Sequence, residues 1–224
     1  MESLTSRPAF GAEYPVEVHV DPATEGRNRL TTAFRLLLAL PHLLMVGGPV
    51  ALMASWSWSS EAGPRYQWSA GGGVLGVAAA VASLISWFAI VFTGRQPAGL
   101  WNLAAFYLRW RVRAVAYTAL LRDEYPPFGD GPYPAAVELE RPEEPRDRVT
   151  VAFRLLLVIP HLLAIWALGI AWGLTSVVAW VAILLTGRFP AGLYGFGVGV
   201  LRWNIRVESY VLLLHDRYPP FSLE

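Results

Sequence analysis

Apolar and polar positions along the chain fall into three patterns, and each occurs twice. The first is strict alternation: Val16-Glu17-Val18-His19-Val20 reads as a half-exposed strand, and Ala135 to Glu140 repeats it. A lone strand is not stable in water, so the two are expected to pair with each other or across a dimer. The second pattern is unbroken hydrophobicity. From Leu155 to Gly187 there are 33 residues without a formal charge. One helix of that length would extend about 50 Å, against about 30 Å of hydrocarbon core. The expectation is therefore a hairpin turning near Gly169 to Gly173. The corresponding arms earlier in the chain run from about Leu30 to Ala54 and from Gly71 to Thr93. Between them, residues 55–70 carry Trp56, Trp58, Glu61, Pro64, Arg65 and Trp68, a polar and aromatic loop. The third pattern has helical period. Asn102, Arg109, Arg113 and Tyr117 share one face of a helix from about Leu100 to Arg122. Arg202, Arg206 and Tyr210 do so between Leu193 and His215. Arginines in mid-span are costly, so each is expected to lie at the interface as an amphipathic helix.

The twofold occurrence is a duplication. At a spacing of 119, Tyr14-Pro15 matches Tyr133-Pro134, Ala33-Phe34-Arg35-Leu36-Leu37-Leu38 matches Ala152 to Leu157, and Pro41-His42-Leu43-Leu44 matches Pro160 to Leu163. At a spacing of 93, Thr93-Gly94-Arg95 matches Thr186-Gly187-Arg188, and Leu108-Arg109-Trp110 matches Leu201-Arg202-Trp203. Tyr125-Pro126-Pro127-Phe128 likewise matches Tyr218 to Phe221. The change of spacing means that the first copy holds a 26-residue insertion between Leu44 and Trp87. The combination of Arg-Leu-Leu-Leu, Pro-His-Leu-Leu, Thr-Gly-Arg-x-Pro-x-Gly-Leu, Leu-Arg-Trp and Tyr-Pro-Pro-Phe resembles the bacterial membrane family called domain of unknown function 4389. That resemblance implies a membrane location and carries no catalytic residues with it.

These patterns lead to an all-α integral membrane protein: four transmembrane helices as two parallel-repeat hairpins, each followed by an amphipathic interfacial helix and opened by a short strand. Two spans per copy keep every matched arginine on one side, which the positive-inside rule places in the cytoplasm together with both termini. Residues 1–13 form a polar tail, 14–128 the first repeat, 129–132 a linker, 133–221 the second repeat and 222–224 a tail. The location expected is the bacterial inner (plasma) membrane.

Composition sharpens this picture at a few points. Hydrophobic residues make up 54% and charged ones 16%. No Asp or Glu occurs from Gly26 to Ser60, from Ala62 to Arg122 or from Arg148 to Val207. A net charge of +1 offers no case for nucleic acid. Cysteine is absent, which removes disulfides, thiolate metal sites and cysteine nucleophiles.

Candidate chemistry is sparse. His42 and His161 occupy matched positions after prolines and could together ligate haem or a metal; alternatively each bonds a backbone carbonyl near its proline. No further ligand lies near either in sequence, so neither metal nor cofactor is expected. Arg35 and Arg154 are candidates for lipid phosphates, and Arg109, Arg113, Arg202 and Arg206 for an anionic lipid surface or a partner. Plain interfacial anchoring is the other reading of all six. Asp123 and Asp216, just before the Tyr-Pro-Pro-Phe motifs, read as helix-end residues, with Phe128 and Phe221 tucking back. The functional expectation is a non-catalytic scaffold or accessory subunit whose partners are membrane lipids, a membrane protein or a second copy. The alternatives are a small channel or transporter between the repeats and, behind it, a haem or metal protein.

Overall fold

The computed structural model describes residues 14–48 and 72–224. The polar tail at 1–13 and the loop expected at 55–70 lie outside the described residues. Strand β1 (Val16–Val20) pairs antiparallel with β2 (Ala135–Leu139), and the central pair is Val18 with Val137. Those two residues are equivalent under the duplication, so a pseudo-twofold axis passes between them. The alternation does what the pattern requires: Val16, Val18 and Val20 are buried while Glu17 and His19 are exposed.

Each repeat then enters its helices through one short capped turn. The Asn28 side chain accepts the N–H groups of Leu30 and Thr31 at the start of α1 (Arg29–Ala33), and Asp147 does the same for α5 (Arg148–Ala152). The first repeat continues through α2 (Arg35–Val46), α3 (Gly73–Thr93) and α4 (Ala98–Thr118). The second continues through α6 (Arg154–Leu157), α7 (Ile159–Thr186) and α8 (Ala191–Val211). Gly94 and Gly187 close α3 and α7 with left-handed φ values of 74° and 71°, where a side chain would be strained.

The hairpin expected at Gly169 to Gly173 does not form. Helix α7 runs unbroken through 28 residues, about 42 Å. Each glycine in mid-helix costs only about 1 kcal/mol against alanine, too little to turn the chain, and Pro160 sits in the first turn, where no helical N–H is lost. In the first repeat the same helix is cut. Under their respective spacings Val46 and Gly73 correspond to Ile165 and Trp166, which are neighbours in α7. The cut ends still abut, since a Cβ on Gly73 would lie 2.6 Å from the Leu44 carbonyl oxygen. Helices α2 and α3 are therefore two halves of one rod, with residues 47–72 spliced in between.

Only α3 and α7 are long and apolar enough to cross a membrane among the described residues, so four transmembrane helices are not supported. The helix ends also tie the two repeats together. The Arg27 N–H bonds the Gly187 carbonyl at the end of α7, and the Arg146 N–H bonds the Gly94 carbonyl at the end of α3. Trp180 Nε1 donates to the Thr32 carbonyl, as Trp87 Nε1 donates to Val151. Each repeat thus begins where the other's long helix ends, and the rods run in opposite directions. Antiparallel strand pairing imposes this relation.

Helices α4 and α8 are not amphipathic surface helices. They form the middle layer, with Ala105, Leu108, Val112, Leu201, Ile205 and Val207 at most 1% exposed. Strand β2 packs on α4 and β1 on α8, while α2 and α3 cover α4 and α7 covers α8 from the other side. The rods are correspondingly bare. In the most apolar stretch of α7 only 22% of residues are buried, and Leu163, Trp166, Ile170, Leu174, Val178 and Leu185 all face outward. The result is three layers: a polar ribbon, a buried helix pair and an exposed apolar sheet of rods.

Candidate functional site

The matched arginines and aspartates build one cluster at each end of the molecule. In the first, Arg27 donates from Nε and Nη2 to Asp123 at 2.9 and 2.8 Å. Arg35 reaches the same carboxylate and gives a 2.7 Å bond to the Arg122 carbonyl. In the second, Arg146 holds both oxygens of Asp216 at 2.6 Å, and Arg154 adds a 2.8 Å bond. Leu120 and Leu213 stand at left-handed φ values of 65° and 61°, turning their carbonyls toward the Nη2 atoms of Arg27 and Arg146. Arg35 and Arg154 also lie over the rings of Tyr117 and Tyr210, at 4.1 and 4.2 Å. Burial alone would raise the Asp123 pKa. The Asn28 N–H and the Arg27 and Arg35 guanidinium groups outweigh it and hold the carboxyl below its ordinary range, and Asp216 behaves alike. The two arginines singled out for lipid phosphates are thus committed to buried ion pairs, their side chains 2% and 1% exposed.

His42 and His161 are not brought together. Each sits in an aromatic box of its own repeat. Trp110 Nε1 donates to His42 Nδ1 at 3.0 Å, and Phe128 stacks on the ring at 4.5 Å between centroids. For His161 the partners are Trp203 at 3.2 Å and Phe221 at 3.9 Å. Nδ1 of each ring accepts from an indole, the backbone of Pro126 or Pro219 also bonds the ring, and the phenylalanines do tuck back. Among the described residues no three His, Cys, Asp or Glu side chains gather as a metal would need.

Arg109, Arg113, Arg202 and Arg206 lie on the ribbon side of α4 and α8. Arg109 pairs with Asp130 at 3.4 Å, and Arg113 donates to the Gly129 carbonyl. Arg202 approaches the Val18 carbonyl at 3.4 Å, while Arg206 bonds the Glu224 carbonyl and lies over Tyr14. These four fasten the loop after α4, the strand, Tyr14 and Glu224 to the central helices.

Sequence reasoning passed over the most buried charges. Arg111, fully buried, donates from Nε to Glu208 Oε2 at 2.7 Å and from Nη1 to the Val46 carbonyl. Tyr107 donates to the other Glu208 oxygen at 2.8 Å. The second repeat has Asn204 where the first has Arg111, and the first has Val115 where the second has Glu208. The cut in the rod explains the asymmetry. Val46 ends α2, so its carbonyl has no helical N–H; Ile165, inside α7, has one. Arg111 caps the broken end and Glu208 neutralises Arg111. The available signal was a charge difference between otherwise matched repeats.

No curated protein and no solved structure matches the chain. A family model does match, over residues 72–129 and 148–222, more than half of the sequence. The first match begins where the insertion ends, and each runs through the Tyr-Pro-Pro-Phe motif. By that match the chain belongs to the family described as Domain of unknown function (DUF4389).

Proposed function

We propose that this protein is a non-catalytic membrane scaffold that lies in one leaflet of the plasma membrane, with its rods parallel to the surface. The observation that carries the reading is the layering: an apolar face made of α2, α3 and α7 on one side and a polar ribbon on the other. Helix α4 is about 31 Å long, close to the hydrocarbon thickness. Standing it upright would put Arg109, Asp130 and the ribbon residues Glu17 and His19 at the bilayer centre. Each such charge costs about 2.5–3.5 kcal/mol there. Laid flat, the same molecule immerses only apolar side chains and leaves the ribbon in the cytoplasm. Tyr14 and Glu224 both reach Arg206 on the ribbon side.

A scaffold or accessory role, holding anionic lipid or a membrane partner, fits a protein whose buried polar groups are spent on joining its own repeats. The channel reading has less to draw on, because Tyr107, Arg111 and Glu208 fill the contact between α4 and α8. The test uses depth. The chain has no cysteine, so Leu163→Cys, Leu174→Cys and Leu185→Cys can each carry one nitroxide label. A flat α7 gives three similar, shallow depths; a maximum at 174 with shallow flanks means that α7 spans and overturns the proposal.

A further inference from the structure

Arg29, Arg188, Arg95 and Arg148 are among the arginines outside the ion pairs; Arg141, Arg202 and Arg206 are others, and those three bond backbone carbonyls. The first four are exposed, and among the described residues no carboxylate pairs with any of them. They form two matched couples, each drawn from both repeats. Arg29 lies over Gly187, where a Cβ would stand 3.5 Å from its Nε, and so beside Arg188. Arg148 lies over Gly94 in the same way, at 3.1 Å, beside Arg95. Both glycines are required by their left-handed backbone, and at Gly94 the approach of Arg148 is also tighter than an ordinary contact.

An apolar groove opens near each couple; none of the four arginines is in its lining, which includes Arg35 in the first groove and Arg154 in the second. One turn beyond Arg29, the first groove, of about 480 Å³, is lined by Thr32, Phe34, Leu36, Leu37, Val177 and Trp180. The second, of about 320 Å³, is lined by the equivalent Leu84, Trp87 and Leu155 with Val211 to Leu213. Paired cations near a greasy trough, opening on the face that meets lipid, match one kind of occupant. We propose that each groove holds an acyl chain of an anionic phospholipid whose phosphate sits between the two arginines, so that each lipid bridges the two repeats. This deepens the membrane reading above and rests on it.

The two sites differ in strength. At the first, the residue before Arg29 is Asn28; at the second, the residue before Arg148 is Asp147, whose carboxylate weakens the local field. Glu144 also stands at the second, bonding the Gln96 N–H at 3.0 Å. The first groove is larger and the couple near it more basic, so it binds first.

The test is native mass spectrometry of the full chain titrated with phosphatidylglycerol or phosphatidylcholine. Two phosphatidylglycerols are expected, the first tighter. R29Q/R188Q should weaken the tight event by about 30-fold, roughly fivefold per arginine, and R95Q/R148Q only the weaker event. Ser176→Trp, which fills the first groove with both arginines intact, should remove the tight event as well. Soluble glycerol phosphate should displace neither lipid. An unchanged preference for phosphatidylglycerol in R29Q/R188Q overturns the proposal, and so does displacement by glycerol phosphate, which would mark a plain anion site. Thermal unfolding of each variant checks that it is folded. Flotation with pure phosphatidylcholine vesicles isolates the premise: failure of the wild type to float sinks the membrane reading itself, whereas flotation with unselective lipid binding sinks only the sites.

Discussion

Replacing Glu208 with valine, the residue at the matched position in the first repeat, isolates the role assigned to the cut rod. In Glu208→Val the Arg111 guanidinium, fully buried, loses its carboxylate and keeps neutral partners, the Val46 carbonyl and the Tyr107 hydroxyl. Removing one partner of a buried pair costs about 3–5 kcal/mol. At about 2–4 °C per kcal/mol for a chain of this size, the unfolding midpoint should fall by on the order of 10 °C. The double variant Arg111→Asn with Glu208→Val reproduces the second repeat's pattern on both sides. It removes the stranded charge but leaves the Val46 carbonyl and the Tyr107 hydroxyl unpaired, a loss of about 1–3 kcal/mol for each, and it should be more stable than the single variant, which strands a full charge beside that hydroxyl. Deleting residues 47–72 joins α2 to α3 and gives the Val46 carbonyl a helical N–H. In that background the double substitution should cost about 1–3 kcal/mol less, since the Val46 carbonyl no longer needs Arg111 and only the Tyr107 hydroxyl is stranded. Thermal or denaturant unfolding in one detergent, read by circular dichroism, measures all four. If the double variant costs as much with the insertion deleted as with it present, Arg111 is not there for the broken helix end and the explanation fails.

Three further outcomes are expected. Asp123→Asn should destabilise by about 3–5 kcal/mol, because Arg27 and Arg35 lose their shared carboxylate; a loss under about 1 kcal/mol in denaturant titration would show that the cluster is mere decoration. His215, buried against Arg154 and bonded to Ser209 at 2.9 Å, has its pKa pushed down to about 3, first by burial and then by that positive charge. The unfolded chain therefore binds the proton more readily, so stability should fall as pH drops from about 6.5 toward 3, where Asp123 and Asp216 begin to add their own loss below about 4. His215→Gln should flatten the upper part of that profile, and a profile identical to wild type would refute the assignment. Trp110→Phe leaves His42 Nδ1 without its donor and should cost about 1–3 kcal/mol. Trp203→Phe should do the same at His161, and near-identical losses are the signature of two independent boxes rather than one shared site.

The duplication, the two strands and the helix stops at Gly94 and Gly187 were legible in the sequence because each depends on neighbours along the chain. Alternation marks a strand wherever it packs, and a glycine before Arg95 or Arg188 ends a helix by its own φ. The tuck of Phe128 and Phe221 was also readable, since the prolines before them force the chain to turn. Strand pairing was foreseen, but its consequence was not. Antiparallel pairing about Val18 and Val137 reverses one repeat against the other, and periodicity holds no information on the relative direction of distant segments. Helix α7 was misread because its length was judged against the hydrocarbon thickness, whereas nothing near Gly169 to Gly173 stops a helix. The charges were hardest. Arg109 and Arg111 are two residues apart on one helix, yet one meets Asp130 near the surface and the other is sealed against Glu208, because only the packing of α2, α3 and α8 around α4 decides which side of it sees water.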